Sequence, residues 1–218
     1  MSKQQSKQPQ VGGEQYFSAT PSSNDERHTL HVTLRGHDVT MQVSRGVFSA
    51  SQLDLGTSVL LKHAPQPPES GKLLDIGCGW GPITVALGLE SPNAEIFAVD
   101  VNERALELTK LNAQAAGLQH VHAALADDAL NADSSPQFDN FDVIWSNPPI
   151  RVGKEVLHNI LLTWLPRLRV GGAAYLVVQK NLGSDSLITW LAENLDETYS
   201  VEKYASSKGY RIIEVLRK

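Results

Sequence analysis

From Lys72 onward the chain alternates short apolar runs with segments of helical period. Lys72 to Ile76, Glu95 to Asp100, His120 to Ala126, Phe141 to Ser146 and Ala173 to Gln179 read as strands. Between and after them, Pro82 to Glu90, Glu103 to Ala116, Val156 to Leu168 and Ser184 to Leu195 read as helices. In the second of these, Ala105, Leu106, Leu108 and Leu111 fall at helical spacing and Gly117 ends the run; Gly171-Gly172 is expected to stop the third. Strand and helix in strict alternation predict an α/β fold, a doubly wound and mostly parallel seven-stranded sheet with helices on both faces. Ser200 to Ala205 and Arg211 to Leu216 follow each other through a short loop, so the sheet is expected to finish in an antiparallel pair. No internal repeat is present.

Ahead of this core, Thr29 to Val43 alternates with period two (Leu30, Val32, Leu34, then Val39, Met41, Val43) around Arg35-Gly36-His37-Asp38, the pattern of a β-hairpin. A Gly46-to-Ser49 loop, a helix from about Gly56 to His63 and a Pro-rich break at Pro65 to Ser70 follow. The chain thus divides into a polar tail over residues 1–26, expected to be disordered, a hairpin-and-helix extension over 27–70, and a core over 71–218. With 41% hydrophobic and 20% charged residues the composition is that of an ordinary globule, and no apolar run approaches the roughly 18 residues of a membrane span. One cysteine, Cys78, excludes an internal disulfide; with no apolar leader, the expectation is a cytoplasmic protein. The net charge of −5 supplies no global attraction to nucleic acid, so any RNA contact must use local basic surface.

Between the first core strand and helix stands Asp75-Ile76-Gly77-Cys78-Gly79-Trp80-Gly81. Glycines at that place let the backbone turn sharply and approach a ligand closely, at the sheet edge where open α/β sheets bind ligands. Pro82 occupies the position where a dinucleotide fingerprint has its third spaced glycine, and the Gly-Lys-Ser/Thr of a P-loop is absent. Asp100 ends the next strand about 20 residues on, where a carboxylate can grip ribose hydroxyls; alternatively it caps the following helix, a role Asn102 could also fill. Cys78 has no neighbouring base and reads as a small packing residue.

A second signal is Ser146-Asn147-Pro148-Pro149-Ile150, closing the fourth strand. The side-chain oxygen of Asn147 and the carbonyl of Pro148 can each accept a hydrogen from an amino nitrogen whose lone pair is delocalised, orienting it for attack without a dedicated base. The prolines stiffen the loop and are expected to leave their carbonyls free of helix bonding. The same tripeptide alone is also an ordinary turn.

Asp-x-Gly-x-Gly-x-Gly resembles the first motif of class I methyltransferases, and Asn-Pro-Pro resembles the substrate motif of those that methylate planar nitrogens. With Gly46-Val47-Phe48-Ser49, Leu53-Asp54-Leu55-Gly56-Thr57, Arg151-Val152-Gly153-Lys154 and Ser207-Lys208-Gly209-Tyr210-Arg211, the chain resembles the methyltransferase small family over about residues 29–218. That family includes the ribosomal RNA small-subunit methyltransferase C type, which acts on guanine N2. The resemblance implies S-adenosylmethionine held by Asp75, Gly77, Cys78, Gly79, Gly81, Asp100, Val101, Asn102, Asp127 and Asn147. Asp75 would lie near the methionine ammonium, and Asp127, read as ending the third strand, or Asp128 beside it, near the adenine amino group. It further implies catalysis at Asn147, Pro148, Pro149 and Ile150, with ribosomal RNA or the small subunit as partner, contacted by Phe48, Arg151, Lys154, Lys208 and Arg211. No membrane and no metal is implied: His120 and His122 share a strand face without a third ligand. Ile150 departs from the aromatic residue common at that place, so either a base is sandwiched by aliphatic contact or stacking comes from elsewhere, with Phe48, Trp80 and Tyr210 as candidates. Methylation of a protein glutamine amide, methylation of a small molecule, and a non-catalytic cofactor-binding scaffold remain as alternatives.

Overall fold

The hairpin turns on two residues. In the computed structural model, which describes residues 24–131 and 137–218, Arg35 and Gly36 both have positive φ (51° and 90°). They join β1 (Arg27–Leu34) to β2 (His37–Ser44) in antiparallel register, Leu34 opposite His37. His37 and Asp38 therefore belong to the strand, since a two-residue turn with both φ positive matches the twist of the strands. The expected tail lies outside the described residues except for Asn24 to Glu26, where Asp25 accepts from Ser44 Oγ (2.6 Å) and from Arg27.

After α1 (Leu55–His63) the core runs β3 (Ser70–Ile76), α2 (Pro82–Glu90), β4 (Asn93–Asp100), α3 (Glu103–Ala115), β5 (Val121–Leu125), α4 (Ala126–Leu130) and β6 (Phe141–Ser146). It continues with α5 (Lys154–Trp164), β7 (Leu168–Gln179), α6 (Ser184–Asn194), β8 (Tyr199–Ser207) and β9 (Tyr210–Arg217). The seven core strands lie in the order β5-β4-β3-β6-β7-β9-β8, parallel except for β9, which is antiparallel to both β7 and β8. The order reverses direction between β3 and β6, and such a switch point opens a crevice beyond the carboxyl ends of those strands.

Two boundaries differ from the sequence pattern. Helix α5 stops at Trp164, because Pro166 has no N–H to continue it and a 3₁₀ turn over Leu165–Arg167 intervenes. Gly171-Gly172 consequently sits inside β7; a Cβ on Gly172 would stand 2.6 Å from the Phe141 carbonyl oxygen, so glycine allows the close approach to β6 where the register shifts. In addition, β5 ends at Leu125 and the next five residues form α4, whose first turn holds Asp127 and Asp128. Negative charge at a helix start favours that turn, so Asp127 does not end a strand.

Alternate side chains of the sheet feed two cores. Leu73, Trp145 and Val177 pack with α1, α2, α3 and the hairpin's Leu34, Met41 and Val43, whereas Leu74, Ile144 and Leu176 pack with Leu157, Leu161 and Trp164 of α5 and Leu187 and Leu191 of α6. Polar groups lock the hairpin in place. Asn112 accepts from the Gln42 N–H (2.7 Å) and donates to the carbonyls of Gln42 (2.8 Å) and Trp80 (2.7 Å). The Arg35 guanidinium donates to the Leu61 (2.7 Å) and Ala64 (3.1 Å) carbonyls at the end of α1 and pairs with Glu90 (3.1 Å).

Candidate active site

A cavity of about 510 Å³ opens at the switch point, between the turn after β3, the end of β4, the loop after β6 and the strap that follows the hairpin. The turn after β3 is stitched to β4: Gly77 and Cys78 both donate to the Val99 carbonyl (2.8 and 3.1 Å). Gly77, Gly79 and Gly81 all have positive φ (75°, 58° and 87°), a region L side chains disfavour. They serve two purposes. A Cβ on Gly77 or Gly79 would meet no atom within 4 Å and both line the cavity, so their missing side chains leave its floor open. A Cβ on Gly81 would lie 2.9 Å from Thr109 Oγ1 and 3.1 Å from Thr109 Cα, so this third glycine allows α2 to pack on α3.

Asp100 lines the cavity at the end of β4. Its Oδ2 accepts the Gly79 N–H (2.9 Å) and its Oδ1 the Asn102 N–H (3.0 Å), which fixes the carboxylate while each oxygen keeps a lone pair. Burial raises its pKa, against the lowering effect of those backbone donors. Val101 is an exposed neighbour on the cavity wall. Asn102 also borders the cavity, but its side chain caps α3 by accepting the Arg104 N–H (2.9 Å) and donates to the Gly46 carbonyl (2.9 Å), tying the strap down.

Behind the turn, Asp75 is fully buried; Oδ2 accepts the Thr84 N–H (3.0 Å) and hydroxyl (2.6 Å), and Oδ1 has no hydrogen-bond partner among the described residues. Burial pushes its pKa up to about 7. Asp75 itself does not line the cavity; the open glycine floor and the strand-end carboxylate of Asp100 do, and they suit a ligand that carries vicinal hydroxyls. Cys78 does not line the cavity; it is 3% exposed, with the Thr109 hydroxyl 3.4 Å from its sulfur. Burial, then the Asp100 and Asp75 charges, push the thiol's pKa up, leaving it inert. Asp127 is exposed on α4, and the neighbouring Ala126 lines the cavity.

Across the cleft, Asn147, Pro148, Pro149 and Ile150 all line the cavity. Asn147 Nδ2 donates to Asp54 Oδ2 (2.8 Å) and Thr57 Oγ1 (3.0 Å). The proline carbonyls are not free. Pro148 O accepts the Ile150 N–H (2.8 Å) across a tight turn at Pro149 (φ −74°, ψ 75°), and Pro149 O accepts the Val152 N–H (3.2 Å). The loop closes on itself because Ile150–Val152 forms a 3₁₀ turn; the Pro148 oxygen keeps its second lone pair. Ile150 packs against the α5 and α6 core, anchoring the loop. Of the three stacking candidates, Phe48 (42% exposed) and Tyr210 line the cavity, while Trp80 (2% exposed) is buried in the core beneath the hairpin and cannot reach a base.

The basic residues divide similarly. Arg151 borders the cavity and Lys154 is exposed at the start of α5. Lys208 is exposed in the β8–β9 turn, whose Gly209 carbonyl accepts the Lys180 N–H (2.8 Å), so exposed Lys180 stands near it. Arg211 is instead paired with Asp185. Sequence reading did not select Lys180, Asp54, Val47, Gln179 or Leu182 for the site, yet the last four line the cavity. No group of His, Cys, Asp or Glu among the described residues could hold a metal ion, and no helix there is long and apolar enough to cross a membrane.

Comparison with known proteins gives a consistent result. Residues 38–214 match the family model described as the methyltransferase small domain. The chain is 38% identical over 201 residues to the uncharacterized protein YbxB of Bacillus subtilis, covering 92% of this chain and 97% of that one. It is 36% identical over 171 residues to ribosomal RNA small subunit methyltransferase C of Shewanella pealeana, covering 77% of this chain and 46% of the relative. It thus spans nearly all of the first relative and about half of the second. The fold matches that of the T. thermophilus 16S rRNA N2 methyltransferase RsmC, solved with AdoMet and guanosine, at a TM-score of 0.73 and 22% identity over 91% of this chain and 52% of that one.

Proposed function

The chain belongs to the methyltransferase small domain family, and on that premise we propose that it methylates the exocyclic N2 amino group of a guanine in ribosomal RNA. Its cofactor is S-adenosylmethionine, as its family membership and fold require. Gly77 and Gly79 would form the bed for it, Asp100 would accept from its ribose hydroxyls, and Asp75 would balance its ammonium from beneath the turn. Bound there, the cofactor supplies a methyl group on a sulfonium, electrophilic enough to be attacked by a weak nitrogen nucleophile.

The observation that carries the acceptor reading is the placement of Asn147 and Pro148 on the same cavity as Gly77, Gly79 and Asp100. The Asn147 amide oxygen and the remaining Pro148 lone pair would each accept one N–H of the acceptor amine, holding it in the cleft and helping its lone pair localise. Phe48 and Tyr210 would cover the faces of the base, since Ile150, though it lines the cavity, carries no aromatic ring. Arg151, Lys154, Lys180 and Lys208 would meet flanking phosphates; a few such contacts suffice to position RNA on a protein of net charge −5. Support for the nucleotide itself comes from the names of the relatives.

The test is to incubate the protein with labelled S-adenosylmethionine and small ribosomal subunits, naked rRNA or cell protein, followed by nucleoside analysis. N2-methylguanosine from rRNA is expected, and Asn147→Ala should abolish it while leaving cofactor affinity nearly unchanged. Label in protein or small molecules alone would refute the RNA reading.

A further inference from the structure

A carboxamide has a donor end and an acceptor end of nearly identical shape, so Asn147 can serve only if something sets which end faces the cleft. Its Nδ2 lies 2.8 Å from Asp54 Oδ2 and 3.0 Å from Thr57 Oγ1. Asp54 Oδ2 already accepts the Thr57 N–H, so its contact with Asn147 is favourable when the amide presents an N–H and repulsive when it presents its oxygen. Thr57 takes the second N–H. With both amide protons engaged by Asp54 and Thr57, the oxygen is the end of the amide left to accept from a ligand in the cavity that Asn147 lines.

The two acceptors are themselves fixed. Asp54 is the N-cap of α1, its Oδ2 also accepting the Thr57 N–H (2.9 Å), and its carbonyl accepts the N–H (2.8 Å) and hydroxyl (2.9 Å) of Ser58. Thr57 is buried. Between them Gly56 provides clearance: a Cβ there would stand 2.9 Å from Asp54 Oδ2, 3.0 Å from Tyr210 Cε1 and 3.4 Å from Asn147 Nδ2. The segment Asp54-Leu55-Gly56-Thr57 is thus shaped around one side chain some 90 residues away in sequence.

We propose that Asp54 and Thr57 are positioning residues that hold the Asn147 carboxamide with its oxygen toward the acceptor nitrogen, and that Gly56 is small to admit that arrangement. The catalytic consequence rests on the function proposed above; the orientation of the amide does not.

Two measurements separate these. In ¹⁵N NMR of the ligand-free protein, the Asn147 side-chain pair, assigned by its loss in Asn147→Asp, should show both protons protected from solvent exchange. Thr57→Val, which keeps the side chain's shape, should release one. Asp54→Ser, which retains a helix cap, combined with Thr57→Val should release both. With labelled S-adenosylmethionine and small ribosomal subunits, that double variant should lose roughly 10- to 100-fold in kcat, the usual scale of a misoriented group. Its cofactor Kd should move less than twofold. Asp54→Asn, whose amide oxygen can replace Oδ2, should recover most of the loss. Unprotected Asn147 protons in the unaltered protein, protection unchanged in the double variant, or kcat within twofold of the unaltered protein would each overturn the proposal. If the unaltered protein labels no RNA, the proposed function falls, and the exchange data still decide the amide's orientation.

Discussion

Replacing the glycines of the first turn one at a time should separate binding from stability. Gly77→Ala and Gly79→Ala force a Cβ onto a backbone with φ of 75° or 58°, yet that Cβ meets nothing within 4 Å. The cost to folding is then the conformational strain alone, about 1–2 kcal/mol, less roughly 0.4–1 kcal/mol from the stiffer unfolded chain. A net loss of about 1 kcal/mol should lower Tm by roughly 2–4 °C in a domain of this size. Gly81→Ala carries similar strain and also drives its Cβ against the Thr109 backbone at 3.1 Å. Overpacking of that kind adds about 1–3 kcal/mol, so Tm should fall roughly two to four times as far. Binding should show the opposite order. A methyl group on the cavity floor at Gly77 or Gly79 should weaken S-adenosylmethionine by at least about tenfold, or 1.4 kcal/mol, whereas Gly81→Ala, measured below its melting temperature, should bind within about threefold of the unaltered protein. Thermal melts with isothermal titration of each variant provide both numbers. Normal cofactor affinity in Gly77→Ala and Gly79→Ala would show that the open floor is not where the cofactor lies.

Asp75 predicts a pH dependence. Its folded pKa, about 7, stands above the unfolded value, so between roughly pH 4 and 7 the native state keeps a proton the unfolded chain has lost. The ligand-free protein should therefore lose stability from this group as pH rises through that window and level off above it. Asp75→Asn should remove this component and gain up to on the order of 4 kcal/mol at pH 8 relative to pH 4; urea melts at both values read it, and identical pH profiles would refute the raised pKa. Arg35→Ala strips the end of α1 of two donors and leaves Glu90, 12% exposed, without its guanidinium. A loss of about 3 kcal/mol in urea melts is expected; a loss under about 1 kcal/mol would mean the contact behaves as a surface ion pair.

Much of the fold was legible because its signals are local. Alternation marked the hairpin, apolar runs marked β3, β4 and β6, and Gly117 marked the end of α3. What misled was punctuation with two meanings. Gly171-Gly172 reads as a helix stop, but Gly172 is needed in β7 for its approach to β6, a contact between strands distant in sequence. Likewise Asp127 reads as a strand end only if β5 runs past Leu125, and two adjacent acids start a helix there instead. In the site, the glycine turn and Asn147 were visible as motifs. Asp54 and Thr57 appeared only within a stretch of family resemblance, because their purpose depends on a partner reached through tertiary folding.

That dependence bears on what the N-terminal extension is for. Its Leu34, Met41, Val43 and Leu60 enter the same core as Leu73 and Trp145 of the central strands, so it is part of the packing of the sheet's hairpin-side face. The strap between the hairpin and α1 is held at both ends of the cleft. Asn102, next to the ribose-binding candidate Asp100, takes the Gly46 carbonyl, and Asp54 takes the Asn147 amide. Val47 and Phe48, between those anchor points, line the cavity. Gly77 and Gly79 after β3, Asp100 at the end of β4 and Asn147 after β6 are held on one side of the cavity by neighbouring strands of a single sheet. The strap reaches the cavity from outside that sheet through Val47, Phe48 and Asp54, with Asn102 and Asn147 as its two anchor points.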